Sequence, residues 1–259
     1  MLNAKKKCAA LMCATSLFMC AATGAGASDA VDAALENPNR PSHDLRLDPV
    51  RKPGEVLEFF KIQPGMKVID LFSGPGYYSE ILNHLVGQEG AVIMYNHAPW
   101  EAYSKKASDA RVAGGRLENA KTQYEDLNTV DFGKGQYDAA LAVLGMHDLY
   151  LKSEKSTSGQ PIDVEHFLQA LYRGIKPGGI VGIVEHEAKK GIAPAESAEL
   201  HRLDSEHIKK IMLDAGFVFE AQSSVLRNNA DDLTQIVWAD GLRRHTDRAV
   251  MRFRKPTGR

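Results

Sequence analysis

Short apolar runs alternate with stretches of helical periodicity along most of this chain. Residues 68–72, 91–95 and 180–184 are predominantly apolar runs, and glycine, proline or polar residues bound them. Buried parallel strands have such continuous apolar runs, and parallel strands are joined by helices that cross over the sheet. The alternation therefore predicts an α/β fold with a doubly wound, mostly parallel sheet.

The remaining elements continue this alternation. Residues 117–124 and the run that starts at Tyr137 predict two more strands, and residues 217–225 and 249–253 predict a final antiparallel pair. Helices are predicted over residues 53–63, 78–86, 100–110, 163–175 and 205–215. The sequence contains no internal repeat.

A glycine-rich turn follows the first predicted strand and contains Ser73, Gly74 and Gly76. Glycines between a strand and a helix allow the backbone to approach a ligand closely, and the helix N-terminus offers unpaired N–H groups. A turn of this kind also occurs for steric reasons alone. However, Asp70 lies within the apolar strand before the turn, and a buried carboxylate without a partner is costly. The pattern favours a nucleotide-type ligand at this turn.

A second candidate site follows the fourth predicted strand, where His147 and Asp148 are consecutive. Ligands and catalytic groups collect at the carboxyl ends of the strands in doubly wound sheets. The pair is a candidate for substrate contact, and a structural His-Asp pair that fixes the loop is an equal alternative. The fifth strand ends in Glu185 and His186, which we expect to face His147 because the two strands are neighbours.

Residues 70–76, Asp-Leu-Phe-Ser-Gly-Pro-Gly, resemble the first motif of class I S-adenosylmethionine-dependent methyltransferases, Asp-Leu-Gly-x-Gly-x-Gly, with Phe72 in place of the first glycine. Lys-Pro-Gly-Gly at 176–179 is similar to another mark of that family. The likeness runs from about residue 37 to residue 256. Further stretches resemble a narrower group, exported bacterial proteins described as predicted methyltransferases, at residues 48–53, 59–66, 76–78 and 147–150.

The resemblance implies a seven-stranded Rossmann-like methyltransferase sheet with an antiparallel final strand, and S-adenosylmethionine as cofactor. The residues that it assigns to cofactor binding are Asp70, Ser73, Gly74, Gly76, Asn96, Tyr124 and Glu125. Asn96 stands where many members carry an acid that holds the ribose hydroxyls, and a neutral amide can also hydrogen-bond a hydroxyl. An ordinary polar turn is an equal alternative for Tyr124 and Glu125.

The resemblance also places the substrate over His147 and Tyr77. The catalytic candidates are His147, Asp148 and Tyr77. We expect His147 to act as a base where the acceptor has a proton to lose, because the ordinary pKa of histidine is near neutrality, and Asp148 to orient it. No residue is assigned as a metal ligand.

The first 27 residues have the pattern of a secretory signal peptide. Lysines at 5–7 precede an apolar stretch over residues 8–22, and Ala-Gly-Ala at 25–27 is typical of a cleavage site. The apolar stretch is too short to span a bilayer comfortably. We therefore predict an exported protein, periplasmic or secreted, that is cleaved after Ala27 and keeps no stable membrane anchor.

Removal of this segment changes the composition of the chain. All three cysteines lie within it, so the mature chain has no disulfide and no thiolate for catalysis or zinc binding. Three lysines are also removed, which leaves 29 Lys and Arg against 33 Asp and Glu, a net charge of −4. A surface of this charge does not attract nucleic acid over its whole area. We expect a small-molecule substrate and no nucleic-acid partner.

Residues 28–53 precede the methyltransferase-like domain at 54–259. Residues 28–35 fit a small helix or a loose segment, and residues 42–53 fit either an extended, solvated lead-in or a lid over the ligand site. Three functions stay open. The first is methyl transfer to a small molecule. The second is an exported, non-catalytic small-molecule binding protein on the same fold, because S-adenosylmethionine is made inside the cell. The third is a metal-dependent enzyme that uses the region of His147, Asp148 and His186, although no spacing motif such as His-Glu-x-x-His supports it.

Overall fold

Seven strands form one sheet in the computed structural model, which describes residues 27–258. The strands are Lys67–Leu71 (β1), Ala91–His97 (β2), Ala120–Glu125 (β3), Tyr137–Val143 (β4), Ile175–His186 (β5), Val218–Ser223 (β6) and Arg248–Arg254 (β7). Their order across the sheet is β3-β2-β1-β4-β5-β7-β6. The neighbours from β3 to β5 are parallel, and β7 is antiparallel to both β5 and β6. The predicted seven-stranded sheet with an antiparallel final strand is confirmed.

Helices cover both faces of the sheet. In the described part of the chain they are Ala27–Leu35 (α1), Ser42–Leu45 (α2), Asp48–Arg51 (α3), Pro53–Phe60 (α4), Tyr77–Val86 (α5), Glu101–Val112 (α6), Val164–Gly174 (α7), Pro194–Ala198 (α8) and Ser205–Asp214 (α9). None of the helices within residues 27–258 has the length and apolar character needed to cross a membrane. Residues 1–26, which hold nearly all of the predicted signal peptide, lie outside the described residues.

Alternate residues of the central strands face two separate apolar clusters. Val68 and Leu141 belong to the cluster formed with α1, α4 and α5, whereas Ile69 and Ala140 belong to the cluster formed with α7 and α9. Because both faces are covered, the central strands are apolar on both sides, which is why they appear in the sequence as continuous runs. Asp70 is the one polar residue among the buried positions of β1.

Two strands extend further than their apolar runs predict. β2 continues through Asn96, which pairs with Tyr124 of β3. β5 begins at Ile175 and continues through Glu185, which pairs with β7. Residues 176–179, which lie between the predicted helix at 163–175 and the predicted strand at 180–184, are therefore part of a strand, and the ladder to β4 has an irregularity there. Backbone pairing with a neighbouring strand does not need apolar side chains, so the extensions leave no hydrophobic signal.

Residues 42–53 contain the helices α2 and α3 and are folded onto the domain, so the interpretation of this segment as an extended lead-in is wrong. Asp44 of α2 accepts hydrogen bonds of 2.7 and 3.0 Å from the Arg111 guanidinium of α6. Asp48 of α3 accepts a 2.6 Å hydrogen bond from the Tyr77 hydroxyl at the start of α5. Charged groups that would be solvated in an extended segment instead bind the residues around the glycine turn.

The connection between β6 and β7 is held against the segment that follows β5. Arg202 and Asp231 form an ion pair of 2.9 Å, and neither side chain has exposed surface. Arg202 also donates to the main-chain oxygens of Glu187 and Gln235, at 2.9 and 2.8 Å. A buried charge needs this degree of compensation. Arg202 thereby holds the connection close to the carboxyl end of β5.

Candidate functional site

The glycine turn between β1 and α5 has a backbone that favours glycine at two positions. Gly74 and Gly76 have φ values of +53° and +89°, in the left-handed region that glycine adopts readily. A Cβ at Gly76 would lie 2.5 Å from Met94 Cε and 2.9 Å from Arg111 Cδ, whereas no atom lies within 4 Å of a Cβ built at Gly74. The backbone is therefore closely packed at Gly76 and open at Gly74.

Phe72, which replaces a motif glycine, keeps the left-handed backbone of the turn with φ +57°. Its ring packs between Trp100 and Phe167, with ring centroids 5.7 and 5.6 Å away. Gly145 makes room for it, because a Cβ at Gly145 would lie 2.6 Å from Phe72 Cβ. Phe72, in place of the motif glycine, is therefore accommodated in the core, because Gly145 after β4 has no side chain and leaves space for it.

Asp70 lies directly before the turn and is 2% exposed. Its Oδ2 accepts a 2.5 Å hydrogen bond from the Ser79 hydroxyl of α5. Burial raises the pKa of Asp70 to about 7, although the Ser79 hydrogen bonds and the charges of Arg51 and Arg111 favour ionisation. The carboxylate is thus incompletely compensated by the protein at the point where the motif expects a ligand.

Asn96 is fully buried, and both of its polar atoms contact the turn. Its Oδ1 accepts a 2.7 Å hydrogen bond from the Gly74 N–H, and its Nδ2 donates to Ser73 Oγ at 2.9 Å. The structure therefore brings together five of the predicted cofactor residues, Asp70, Ser73, Gly74, Gly76 and Asn96, and Asn96 holds the turn in place. The role of Asn96 toward ribose stays a prediction.

Tyr124 and Glu125 lie at the end of β3, beyond β2 as seen from the turn. The Tyr124 hydroxyl lies 3.0 and 2.7 Å from the hydroxyls of Ser104 and Ser108 in α6. Glu125 accepts a 2.8 Å hydrogen bond from the Gln123 amide. Their polar groups contact neighbouring protein groups, and their assignment to the adenine pocket stays a prediction.

The second candidate site forms where β4 and β5 end. His147 is 3% exposed and lies in the short 3-10 helix Met146–Tyr150. Its Nδ1 lies 2.9 Å from Glu185 Oε1, its Nε2 lies 3.3 Å from Asp148 Oδ1, and its Nε2 lies 3.1 Å from His201 Nδ1. The predicted neighbourhood of His147, Asp148 and Glu185 is confirmed.

His186 does not face His147 as expected. Its Nδ1 lies 2.6 Å from the Thr246 hydroxyl, and its ring centroid is 6.3 Å from that of His147. Successive residues of a strand point to opposite faces, so Glu185 and His186 cannot both face the same group. His201, from the connection after β5, occupies the position expected for His186.

Burial and neighbouring charges act on this cluster in opposite directions. Burial lowers the pKa of His147, but the Glu185 and Asp148 carboxylates outweigh it and raise that pKa to about 9. Burial raises the pKa of Asp148 to about 7. Burial and the His147 charge lower the pKa of His201 to about 4. Groups with perturbed pKa values of this kind are concentrated at functional sites.

A cavity of about 400 Å³ lies between the two candidate sites. It is lined by Leu47, Val50, Arg51, Leu144, His186, Val237, Trp238, Arg243, Arg244 and Arg248. Arg51 packs over the Tyr77 ring at 4.3 Å, beside the glycine turn. The Trp238 ring packs against the His201 ring, with centroids 4.3 Å apart. The cavity therefore borders both candidate sites.

The cavity is strongly basic. Among residues 27–258, no carboxylate lies within ion-pair distance of the cavity arginines Arg51, Arg243, Arg244 and Arg248. Arg248 is 8% exposed, its Nε has no hydrogen-bond partner, and its Nη2 donates to the Val50 main-chain oxygen at 2.7 Å. Burial lowers the pKa of Arg248. These unpaired cations favour a negatively charged ligand.

Tyr77 lies at the turn, not at the His147 cluster. Its hydroxyl donates to Asp48, and burial raises its pKa well above the ordinary value. A tyrosine in this setting stays protonated, so its contact with Arg51 at the cavity edge is the feature relevant to a ligand. Its catalytic role stays a prediction.

Comparisons with known proteins point to one class. A family model of protein-L-isoaspartate(D-aspartate) O-methyltransferases matches residues 50–128, which include β1, the glycine turn and β2. The ubiquinone/menaquinone biosynthesis C-methyltransferase UbiE of Shewanella sp. (strain ANA-3) is 24% identical over 193 residues, and the match covers 62% of this chain and 70% of the relative.

Solved structures share the fold. A SAM-dependent methyltransferase from Aquifex aeolicus has a TM-score of 0.56 and 21% identity, and the match covers 83% of this chain and 98% of that one. The [4+2]-cyclase SpnF has a TM-score of 0.55 and 18% identity, with 86% of each chain covered. Identities this low establish the fold, and the cyclase illustrates that function must be argued from the site.

Proposed function

We propose that this chain, a member of the class I S-adenosylmethionine-dependent methyltransferase superfamily, transfers a methyl group from S-adenosylmethionine to a small, negatively charged acceptor. The family model and the UbiE relative support the enzyme class and the cofactor. The cavity with four unpaired arginines carries the proposal about the acceptor. Its volume of about 400 Å³ suits a small molecule.

The residues at the glycine turn fit the cofactor. Asp70 is a buried carboxylate whose charge an ammonium group, such as that of a bound amino acid moiety, would compensate. The space beside Gly74 allows a ligand to approach the backbone, and the Ser73 hydroxyl has its own hydrogen to donate. Asn96 contributes by holding Ser73 and Gly74 in this arrangement.

S-adenosylmethionine, when bound, supplies an electrophilic methyl group on a sulfonium ion. The protein must then orient the acceptor, and orientation alone can supply much of the rate. Arg51 and Arg248 are the side chains best placed for this, because they line the cavity and have no carboxylate partner in the described chain. For an acceptor that loses a proton, the neutral form of His147, oriented by Asp148, is the candidate base at the adjoining edge, and its raised pKa means that this form predominates only at alkaline pH.

Export is part of the proposal. The basic, apolar and small-residue sequence of residues 1–27 supports a signal peptide, and a periplasmic or secreted location follows from it. The net charge of −4 after cleavage supports a small-molecule acceptor over nucleic acid.

Transfer of radiolabelled methyl groups tests this proposal. We would incubate the full-length chain with methyl-labelled S-adenosylmethionine and small aromatic and aliphatic acceptors in three charge classes: anionic, neutral and cationic. We expect labelled product from the anionic class, and an increase in KM of at least about tenfold in Arg248→Met, equivalent to one lost charge-assisted contact.

Arg254→Met is the matched control, because Arg254 pairs with Glu220 on β6, outside the cavity. We expect its KM to equal that of the wild type. Transfer to neutral acceptors alone, unchanged in Arg248→Met, would contradict the proposed acceptor class. Cofactor binding without transfer to any class would support the non-catalytic binding protein instead.

A further inference from the structure

Three metal-ligating side chains converge at the carboxyl ends of β4 and β5. His147, Asp148 and His201 each place one ligand atom at this point, and the three atoms lie within 4.8 Å of one another. We propose that these three residues bind one divalent first-row transition-metal ion. The sequence left a metal-dependent enzyme open in the region of His147, Asp148 and His186, but it did not indicate His201, which is 54 residues away from His147 along the chain.

The hydrogen bonds of Glu185 determine which nitrogen of His147 faces the cluster. Glu185 is fully buried and accepts main-chain N–H bonds from His147 and His186, at 3.1 and 2.7 Å. An ionised carboxylate only accepts, so His147 donates its Nδ1–H to Glu185 across 2.9 Å. The lone pair of His147 Nε2 then points toward His201 and Asp148. A carboxylate that orients a ligating histidine in this way is a common feature of metal sites.

The separations between the ligand atoms agree with coordination of a single ion. Bonds of about 2.1 Å at tetrahedral or octahedral angles place adjacent ligand atoms roughly 3.0–3.4 Å apart. His147 Nε2 lies 3.1 Å from His201 Nδ1 and 3.3 Å from Asp148 Oδ1. The third pair, Asp148 and His201, lies within 4.8 Å, so an ion would bind once these two ligands move closer together.

The ligand types select the class of ion. Two imidazoles and one carboxylate suit zinc, iron, manganese or cobalt, whereas magnesium and calcium prefer oxygen ligands only. Three protein ligands also leave at least one coordination position for an exogenous group. Trp238 packs on His201 and also lines the arginine cavity, so the cluster adjoins the place where the proposed acceptor would bind.

The scaffold holds His201 at the cluster from a distant part of the chain. Leu203 bridges to Glu187 beside β5, and the buried Arg202 binds Asp231. His201 directly precedes Arg202 in the chain and has a left-handed backbone, with φ +55°. Its ring packs against the Trp238 ring. Its side chain is therefore positioned by long-range packing and is directed at His147.

A shared proton is the competing explanation, because His201 could donate its Nδ1–H to His147 Nε2 across the same 3.1 Å. A proton shared by these two nitrogens and a metal ion bound to both of them cannot be present at the same time. If the methyl transfer proposed above is also correct, an oxygen of the acceptor would bind the ion, and the ion would lower the pKa of an acceptor hydroxyl in place of a histidine base. Binding of the ion itself does not depend on that transfer.

Calorimetric titration with Zn²⁺ and Co²⁺ tests the site directly. We would use the full-length chain without a polyhistidine tag, strip it with a chelator, and titrate it in the absence of S-adenosylmethionine. We expect one ion per chain with a Kd of about 1 μM or lower, absorption bands of protein-bound Co²⁺ in the visible range, and no heat with Mg²⁺. We expect His201→Ala to weaken binding at least about 100-fold and Glu185→Gln to weaken it about tenfold.

His207→Ala is the matched control, because His207 is also partly exposed but contacts the Tyr150 hydroxyl, outside the cluster. We expect its affinity for Zn²⁺ to equal that of the wild type. No binding at 100-fold higher ion concentrations by folded protein would establish the shared proton and overturn the proposal. Equal affinity in His201→Ala and wild type would place the ion elsewhere and also overturn it. Neither outcome alters the expected binding of S-adenosylmethionine at Asp70, which separates this test from that of the proposed function.

Discussion

The candidate site has two edges, the glycine turn and the arginine cavity beside His147. They differ in how the charges of their buried arginines are compensated. Beside the glycine turn, Arg111 binds the carboxylates of Asp44 and Glu80, at 2.7 and 3.0 Å. In the cavity, Arg248 is almost as deeply buried, yet no carboxylate of the described chain lies within ion-pair distance of it. The paired arginine fixes protein segments to each other, whereas the unpaired one retains its charge for a ligand.

This difference separates residues that stabilise the fold from residues that bind ligands. A buried ion pair is strongly destabilised when one partner is removed, because the other charge stays buried. A buried charge without a partner already destabilises the folded state, so its removal stabilises the protein and impairs binding. The two classes of charged residue should therefore respond to substitution with opposite signs.

Arg202→Met should have the largest effect, because it leaves Asp231 buried without its partner. We expect it to lower the free energy of unfolding by about 3–5 kcal/mol, measured by urea denaturation. The double variant Arg202→Met, Asp231→Leu should recover most of that loss. The exposed pair of Arg254 with Glu220 is the control, and Arg254→Met should cost less than about 1 kcal/mol. Equal effects at the two arginines would contradict the assigned structural role of Arg202.

Asp70→Asn should stabilise the protein in a pH-dependent manner. The folded pKa of Asp70, about 7, is above its ordinary value of 3.8, so the folded state holds this proton more tightly than the unfolded state. Stability from this group is therefore complete below pH 4 and is lost as the pH rises through 7. One pKa unit is worth about 1.4 kcal/mol, so we expect a gain of about 4 kcal/mol for the variant at pH 8 and almost none at pH 4.

Denaturation of wild type and Asp70→Asn at both pH values measures this gain. Ser79→Ala is the control, because it removes the hydroxyl that binds the carboxylate and should destabilise the protein most above pH 7. A variant that is less stable than wild type at pH 8 would mean that the charge of Asp70 is compensated in the folded protein.

Gly145→Ala should have a smaller effect, and it tests how the two edges are connected. Its Cβ would overlap the Phe72 Cβ at 2.6 Å, which joins the glycine turn to the segment before His147. We expect a loss of about 2 kcal/mol from overpacking. Gly65→Ala, which has φ +81° and open space at the Cβ position, should lose about 1 kcal/mol from backbone strain alone. A double-mutant cycle with Phe72→Ala should show coupling, and independent effects would exclude this contact as the cause.

Local sequence pattern was sufficient to predict the sheet and the glycine turn. Residues 70–76 are contiguous, and the strand, turn and helix around them position Asp70, Gly74 and Gly76 by local geometry. Asn96 ends up beside them because β2 neighbours β1. The extensions of β2 and β5 were missed, because backbone pairing leaves no hydrophobic pattern.

The residues around His147 and the arginine cavity could not be predicted in the same way. His201 and Arg248 reach this region through the Arg202–Asp231 pair and the pairing of β7 with β5, which are interactions between distant parts of the chain. Near His147, the alternation of side chains along β5 decides that Glu185 faces the cluster and His186 does not. The apolar run predicted the strand, but the expectation that both polar end residues face His147 was wrong for His186.

Calorimetric titration of the full-length chain with S-adenosylmethionine tests the central claim most directly. We expect a Kd in the micromolar range for wild type, about −8 kcal/mol, and at least about 100-fold weaker binding to Asp70→Asn, even though that variant is more stable at neutral pH. Folded wild-type protein that produces no heat, or a variant that binds as tightly as wild type, would contradict the assignment of Asp70 and the glycine turn to the cofactor.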